Sequence, residues 1–406
     1  MNKENFFSEA LCHQADVLPY YVSQKLAEKY PETPILEGED SNFEIEAYER
    51  DGQCDVVCVS SLHNQIKTKW KGVGKKLQRQ YENAWLSIIW QEHIIDVVLM
   101  TFVDEGYRTR FHWIVVESRE IAENFFRAVC DWSSETRGEI LVFDEGWWEK
   151  DEELYAAIKR ASFDDLILPD DLKQGIIDDF NRFLAARETY EQHGIPWKRG
   201  VLLVGPPGNG KTHTVKAIVN HLGLPCLYVK TLTSRCGAEV SLQRIFARAR
   251  QIKPCLIVME DIDALINNHT RSFFLNELDG FAENNGVLVL ATTNYPKKLD
   301  PAMVNRPSRF DRKYHFGLPE KIERLKYLRT WSEKLHDDAR LSEGALLRIT
   351  KQTKGFSFAY LKELVLSSLM QWVENPTKGL MDAVMTERAT KLLEQMKTTD
   401  KKSAAD

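Results

Sequence analysis

The residues of this chain best suited to chemistry form a glycine-rich loop at positions 205–212, Gly-Pro-Pro-Gly-Asn-Gly-Lys-Thr. The loop follows four apolar residues that favour a buried strand, and it matches the pattern G-x-x-x-x-G-K-[ST]. Its glycines let successive backbone N–H groups turn toward a polyphosphate at the start of the following helix. Lys211 would then reach the β- and γ-phosphates, and the Thr212 hydroxyl would bind Mg²⁺. We therefore predict a nucleotide site formed by Gly205, Pro206, Pro207, Gly208, Asn209, Gly210, Lys211, Thr212 and His213.

Polar residues follow two further apolar runs. Glu260 and Asp261 come directly after the run at 256–259, and Asn294 ends the next one. Ligands of open α/β sheets bind at the carboxyl ends of the strands, where a nucleoside triphosphatase needs one carboxylate for Mg²⁺ and one to orient and deprotonate the attacking water. We predict that Thr212 and Glu260 are the metal ligands and that Asn294 positions the water. Asp261 is by position the base, although the assignment of the two carboxylates stays open.

The surrounding patterns predict how these residues are held. Strands alternate with helices up to about residue 318, which indicates a parallel sheet covered on both faces. The pattern after Pro319 is helical, and short β-type runs before residue 146, the last at 140–143, predict an α+β domain. The predicted α/β chain thus has a helical leader (1–42), an α+β N-terminal recognition domain (43–146), a linker (147–162), a parallel-sheet α/β domain (163–318), a helical lid (319–397) and a disordered tail (398–406).

Composition narrows the class of protein. Of the 406 residues, 43% are hydrophobic and 28% are charged, which is typical of a globular protein. No apolar run is long enough for a membrane span, and the first residues lack the features of a signal or transit peptide. We therefore expect a soluble, cytoplasmic protein. The net charge of −6 gives no overall attraction to nucleic acid.

The segment 299–312 makes the interpretation more specific. It reads Leu-Asp-Pro-Ala-Met-Val-Asn-Arg-Pro-Ser-Arg-Phe-Asp-Arg, and together with the glycine loop, the carboxylates and Asn294 it resembles the AAA ATPases over about residues 163–360. The resemblance implies an ATPase that uses ATP and Mg²⁺ and assembles into a ring, a hexamer or a heptamer. In that family the arginines matching Arg309 and Arg312 reach the γ-phosphate of the neighbouring subunit. Such an arginine finger supplies roughly 10³ to 10⁵ in rate.

Three departures from most AAA proteins refine the expected function. The order Glu260-Asp261 replaces Asp-Glu and is similar to the branch that contains the mitochondrial translocase of the Rieske iron–sulphur protein. Residues 233–237, Thr-Ser-Arg-Cys-Gly, lack the aromatic side chain with which AAA unfoldases grip a polypeptide in the central pore. Phe358-Ala359 stands where the family has Gly-Ala, so an altered contact on the adenine side is expected. A protein client would then be moved without threading.

A basic stretch leaves a second function open. Trp70 is surrounded by Lys67, Lys69, Lys71, Lys75, Lys76 and Arg79. This pattern can bind a phosphate backbone with one stacked base, but lysines also protect exposed strand edges from aggregation. The two alternatives are an ATPase that remodels or translocates a protein client and an ATP-controlled scaffold that engages nucleic acid through this loop.

Overall fold

A computed structural model describes residues 6–40, 43–58, 64–71, 76–104, 107–134, 140–234, 236–279, 284–304, 306, 309–377 and 379–403. The chain divides into two compact units, Met1–Arg137 and Gly138–Asp406. Within the described ranges, we find no helix with the length and apolar character needed to cross a membrane.

The first unit is an antiparallel sheet with helices. Its strands are β1 (Ile35–Gly38), β2 (Asp55–Cys58), β3 (Gln65–Lys71), β4 (Lys76–Trp90), β5 (His93–Asp104) and β6 (Tyr107–Val115). They run in the order β1-β6-β5-β4-β2, and β3 pairs with residues 76–83 of β4. The helices are α1 (Phe6–Ala10), α2 (Leu18–Lys29), α3 (Ile45–Arg50) and α4 (Arg119–Ser134).

Both faces of this sheet are apolar because its strands lack the simple alternation of apolar and polar residues. Trp85, Val98 and Trp113 are cross-strand neighbours on one face and pack against α1 and α2. The opposite face packs against α3 and α4. The predicted helical leader at 1–42 is therefore wrong as a separate segment: α2 covers the sheet, and β1 pairs with β6 as one of its strands.

The second unit contains a seven-stranded sheet. Its strands are β7 (Ile140–Asp144), β8 (Trp147–Asp151), β9 (Arg199–Val204), β10 (Cys226–Val229), β11 (Cys255–Met259), β12 (Val287–Thr293) and β13 (Arg312–His315), in the order β13-β9-β12-β11-β10-β7-β8. All neighbours are parallel except β7 and β8. Every residue of β11 and β12 is buried, and alternate side chains enter two different cores. The predicted covered parallel sheet is confirmed.

The helices of this unit cover the sheet and form a separate cluster after it. They are α5 (Glu152–Lys159), α6 (Asp170–Ala185), α7 (Arg187–Gln192), α8 (Lys211–Leu222), α9 (Ala238–Gln251), α10 (Ile262–Leu265), α11 (Arg271–Asp279), α12 (Pro301–Val304), α13 (Lys321–Lys334), α14 (Glu343–Gln352), α15 (Phe358–Glu374) and α16 (Leu380–Ser403). The last four share an apolar core of their own, as expected of a lid.

Two predicted boundaries differ from the structure. Strand β7 does not close the first unit, since it pairs in parallel with β10, and β8 follows it as a hairpin instead of lying in a linker. Four apolar residues of β7 are buried in the second unit, which explains why the strand belongs there. At the other end, α16 continues to Ser403, so the predicted disordered tail is wrong up to that residue, and 404–406 lie outside the described ranges.

Candidate functional site

The glycine loop at 205–212, called the phosphate loop from here on, connects β9 to α8 at the carboxyl ends of the parallel strands. Gly208 and Gly210 have φ of +76° and +91°, which a side chain would disfavour. The Nζ atom of Lys211 donates to the carbonyls of Gly205 and Pro206 at 2.7 and 2.9 Å, so the ammonium is held within the loop. Burial lowers the pKa of Lys211, and the negative charges of the neighbouring carboxylates oppose that shift.

Thr212 and Glu260 form the predicted pair of metal ligands. The Thr212 hydroxyl donates to Oε1 of Glu260 at 2.5 Å. Oε2 of the same carboxylate accepts from the Tyr228 hydroxyl at 3.0 Å, a contact that the sequence analysis missed. Hydroxyl and carboxylate oxygens are ligands that Mg²⁺ prefers, so the chemistry of this pair fits the metal.

Asp261 and Asn294 meet beside this pair. Nδ2 of Asn294 donates to Oδ1 of Asp261 at 2.7 Å, and the Asp261 backbone N–H donates to Oγ1 of Thr292 at 3.0 Å. Asp261 has φ +47° and ψ +51°, a left-handed conformation that is uncommon outside glycine. Strained backbone of this kind concentrates at functional sites, where neighbouring contacts hold it. Here the contacts come from Thr292 in the adjacent strand β12 and from Asn294 directly after that strand.

The helical lid contacts the phosphate loop through the first turn of α15. The Ala359 N–H donates to the Gly208 carbonyl at 3.1 Å, and Ser357 caps the helix by accepting from the Tyr360 N–H. Phe358, the departure noted in the sequence, instead packs on the ring of Tyr327 inside the lid, with centroids 5.3 Å apart. The alanine thus makes the loop contact, and the larger side chain is accommodated in the lid core.

Two more residues of the predicted nucleotide site have distinctive surroundings. Asn209 is 1% exposed, and neither polar atom of its side chain has a hydrogen-bond partner in the part of the chain that the structure describes. A buried polar group of this kind suggests contact with a ligand. His213 lies in the first turn of α8, where partial burial and the positive charges of Lys216 and Lys362 lower its pKa. The lowered pKa favours the neutral imidazole.

The structure does not bring Arg309 and Arg312 to this site. Strand β13 is parallel to β9, and Arg312 is opposite Val201, three residues before the strand enters the phosphate loop. Three strand residues span roughly 10 Å, so both arginines lie at the amino ends of the strands. Arg309 is 8% exposed and its Nε donates to Asp279 at 2.7 Å, whereas Nε of Arg312 donates to Asp179 at 3.1 Å. The sequence analysis identified neither aspartate as a partner.

Comparison with known proteins agrees with this geometry. Residues 201–318 match the model of the family described as "ATPase family associated with various cellular activities (AAA)". The chain is 33% identical over 226 residues to an ATP-dependent zinc metalloprotease FtsH of Thermobaculum terrenum, which covers 51% of this chain and 34% of that protein. A second FtsH, from Acidothermus cellulolyticus, is 36% identical over 226 residues, covering 51% of this chain and 33% of the relative.

A third relative is the ATPase family gene 2 protein of Saccharomyces cerevisiae, which is 33% identical over 221 residues, covering 51% of this chain and 28% of the relative. The chain spans about a third of the length of these curated relatives. The matches indicate an ATP-hydrolysing P-loop domain that uses ATP with Mg²⁺ and includes residues 201–318, and AAA proteins commonly form oligomeric rings. These matches support the general resemblance and leave the finer assignment to the translocase branch without support.

Proposed function

We propose that this protein is a ring-forming, Mg²⁺-dependent ATPase that remodels or moves a protein client. The observation that carries the proposal is the distribution of the predicted site over two edges of one sheet. Lys211, Glu260 and Asp261 lie at the carboxyl ends of the strands, and the two arginines lie at the amino ends. Within one chain, the two groups of predicted site residues therefore do not come together. A ring in which the amino edge of one subunit faces the carboxyl edge of the next would join them.

Each residue at the carboxyl edge has a role in hydrolysis. Lys211 would bind the β- and γ-phosphates, and Thr212 with Glu260 would hold Mg²⁺, which would supply neutralisation of the phosphate charge. Because Asn294 fixes one carboxylate oxygen of Asp261, the other oxygen can accept a proton from the attacking water. Glu260 is already engaged by Thr212 and Tyr228, which favours Asp261 as the base.

The test is the dependence of ATP turnover on protein concentration. Turnover per subunit should rise as rings assemble, and particle images with ATP should show six or seven subunits. The Lys211→Ala variant is the matched control, and it should lose ATP binding while its circular dichroism spectrum stays unchanged. Full turnover by a monomer would refute the ring, and unchanged nucleotide affinity in the variant would refute the role of the loop.

The client would be moved as a folded body, in the manner of a translocase. Ser234, in the segment where unfoldases have a pore aromatic, donates to the Gly237 carbonyl and accepts from Ser241, so it is tied to the start of α9. Arg235 of that segment lies outside the described residues. Together with the order Glu260-Asp261, this supports the proposed membership of the translocase branch.

A client trapped by the Asp261→Asn variant should be released by wild-type protein and ATP with its tertiary structure intact, and unfolding of a stable fusion tag would contradict this.

A second candidate function, binding of nucleic acid, rests on the β3–β4 hairpin. Residues 65–81 include six lysines and arginines and no acidic residue. Trp70 and Leu77 are cross-strand neighbours in it, and Trp70 is 68% exposed, as a base-stacking platform would require. Stimulation of turnover by single-stranded oligonucleotides, lost in Trp70→Ala, would favour this alternative. Turnover that does not respond to oligonucleotides would leave the protein client as the better account.

A further inference from the structure

Asp261 lies just beyond the point where strands β11 and β12 stop pairing. Their last main-chain pair joins Met259 to Ala291, so the Asp261 main chain continues past the paired part of the sheet. It does so with φ +47° and ψ +51°, in the left-handed region. A residue other than glycine stays in that region only where the surrounding structure holds it. The contacts of this main chain therefore decide how the Asp261 carboxylate is presented.

The main chain of Asp261 is held from two sides. Its carbonyl accepts the N–H groups of Ala264 and Leu265 at 2.7 and 3.3 Å, contacts that close the first turn of α10. Its own N–H donates to Oγ1 of Thr292 at 3.0 Å. The helical contacts would move together with Asp261, whereas Thr292 belongs to an inner strand of the sheet. The Thr292 hydroxyl is thus the main-chain contact that fixes Asp261 relative to the sheet.

Thr292 is a rigid anchor for this purpose. It is 2% exposed and pairs with Leu203 of β9 on its other side, and a β-branched side chain has few rotamers to choose from. The next residue extends the same connection: the Thr293 hydroxyl donates to Oδ1 of Asp263 at 2.6 Å, and its carbonyl accepts the N–H of Gly205 at 3.3 Å. The end of β12 therefore joins the first residue of the phosphate loop to the turn that contains Asp261.

The presence of a hydroxyl at position 292 is itself informative. Strand β12 reads Val-Leu-Val-Leu-Ala-Thr-Thr and is buried throughout, so an apolar β-branched residue would pack equally well there. A buried hydroxyl is tolerated where it has a hydrogen-bond partner, and here that partner is the Asp261 N–H.

From these contacts we infer that Thr292 is a positioning residue for ATP hydrolysis. Its hydroxyl holds the Asp261 main chain in the left-handed conformation, and Asn294 then holds one oxygen of the carboxylate at 2.7 Å. The other oxygen is left to accept the proton of the attacking water. The inference rests on the proposed function, in which Asp261 is the base, and it adds the residue that sets the orientation of that base.

The test removes the hydroxyl and keeps the shape of the side chain. Thr292→Val should lower turnover by about 10²-fold, because a catalytic group misplaced by about 1 Å loses roughly that much rate. The affinity for ATP should stay unchanged, since the phosphate loop is intact. Thr292→Ser retains the hydroxyl and should keep most of the turnover. Hydrogen exchange at the Asp261 amide should accelerate in Thr292→Val and stay slow in Thr292→Ser.

Thr353→Val is the matched control. Thr353 is also fully buried, and its hydroxyl donates to the Ile349 carbonyl at 2.8 Å, within the lid. This variant loses the same group and one hydrogen bond, and it should leave both turnover and exchange at the Asp261 amide at their wild-type values.

A double variant separates positioning from support of the sheet. Adding Thr292→Val to Asp261→Asn should cost no further turnover, because Thr292 acts through the carboxylate that is already lost. If Thr292 only supported the sheet, the residual turnover would fall by the same factor as in the wild-type background. That result, wild-type turnover of Thr292→Val, or an equal loss in Thr292→Ser would overturn the inference and leave Asp261 as the base. Full turnover of Asp261→Asn alone would instead refute the base assignment in the proposed function.

Discussion

The two edges of the seven-stranded sheet hold their polar side chains in opposite ways. At the carboxyl edge, Thr212 and Asp261 are exposed, and single hydrogen bonds orient them. At the amino edge, Arg309 and Asp179 are buried in ion pairs. A reacting group must stay accessible to its ligand, whereas a buried charge must be paired to be tolerated at all. Substitutions at the carboxyl edge should therefore affect turnover, and substitution of the buried pair between Arg309 and Asp279 should affect stability.

The largest effect is expected on stability, from an Asp→Asn substitution at the amino edge that is compared with the same substitution at the carboxyl edge. Asp279→Asn removes the charge that pairs with Arg309 at 2.7 Å and with Lys198 at 3.8 Å, so a cation stays buried without compensation. Breaking such a pair lowers the free energy of unfolding by about 3–5 kcal/mol. Asp261→Asn should change it by less than about 0.5 kcal/mol, because Asn tolerates the left-handed backbone there. That variant should instead lose roughly 10²- to 10⁴-fold in turnover.

Urea denaturation and phosphate release, measured on the same preparations, separate the two outcomes. The exposed pair between Arg329 and Glu343 is the control, since Glu343→Gln should cost less than about 1 kcal/mol. If Asp279→Asn unfolds at the wild-type urea concentration, the amino edge does not stabilise the fold in the way proposed.

An intermediate effect is expected where the lid meets the phosphate loop. Gly208→Ala and Gly210→Ala both place a side chain at positive φ, which costs about 1–2 kcal/mol. Only at position 208 would the new Cβ collide with another residue, lying 2.6 Å from Cβ of Ala359, whereas the space around position 210 is open. Overpacking should add about 1–3 kcal/mol in the first variant alone. Hydrogen exchange at the Ala359 amide, which donates to Gly208, should accelerate there and stay slow in Gly210→Ala.

Equal exchange rates in the two glycine variants would show that the lid is not held at Gly208 in solution. The position of the lid would then have to be set by the contacts within its own helices.

The sequence predicts the residues at the carboxyl edge well because each of them is close in the chain to the apolar run that positions it. The phosphate loop, Glu260, Asp261 and Asn294 each follow directly from an apolar run, and parallel strands place their ends together. The boundary between the units could not be found in this way. Strand β7 pairs with β10, in a register that joins Leu141 to Leu227, and nothing in its own apolar run indicates which sheet it enters.

The same reason explains the missed partners at the amino edge. Asp179 and Arg312 are 133 residues apart in the chain, and Asp279 and Arg309 are 30 apart. A solvated loop and a buried ion pair have the same residue types, so composition alone does not distinguish Arg309 from Arg312. Only the packing shows that one guanidinium is enclosed and the other half-exposed.

The smallest effect concerns Tyr228, which the sequence could not identify because it lies within an ordinary apolar strand. Burial and the charge of Glu260 raise its pKa, so the hydroxyl remains a hydrogen-bond donor throughout the neutral pH range. Tyr228→Phe removes the bond to Glu260 and keeps the ring, which leaves the carboxylate oriented by Thr212 alone. Loss of such a supporting bond weakens metal binding by about tenfold. The Mg²⁺ concentration for half-maximal turnover should rise accordingly, with little change at saturating Mg²⁺.

Tyr314→Phe is the matched control at the amino edge, since it removes a similar bond from a tyrosine hydroxyl to a buried carboxylate, that of Asp179, at 2.8 Å. Its Mg²⁺ dependence should equal that of the wild type, because Asp179 lies at the edge away from the metal ligands. A shift of the Mg²⁺ requirement in both tyrosine variants would mean that the two edges are coupled through the sheet. A shift in neither would remove Tyr228 from the support of the metal site and leave Thr212 as the residue that orients Glu260.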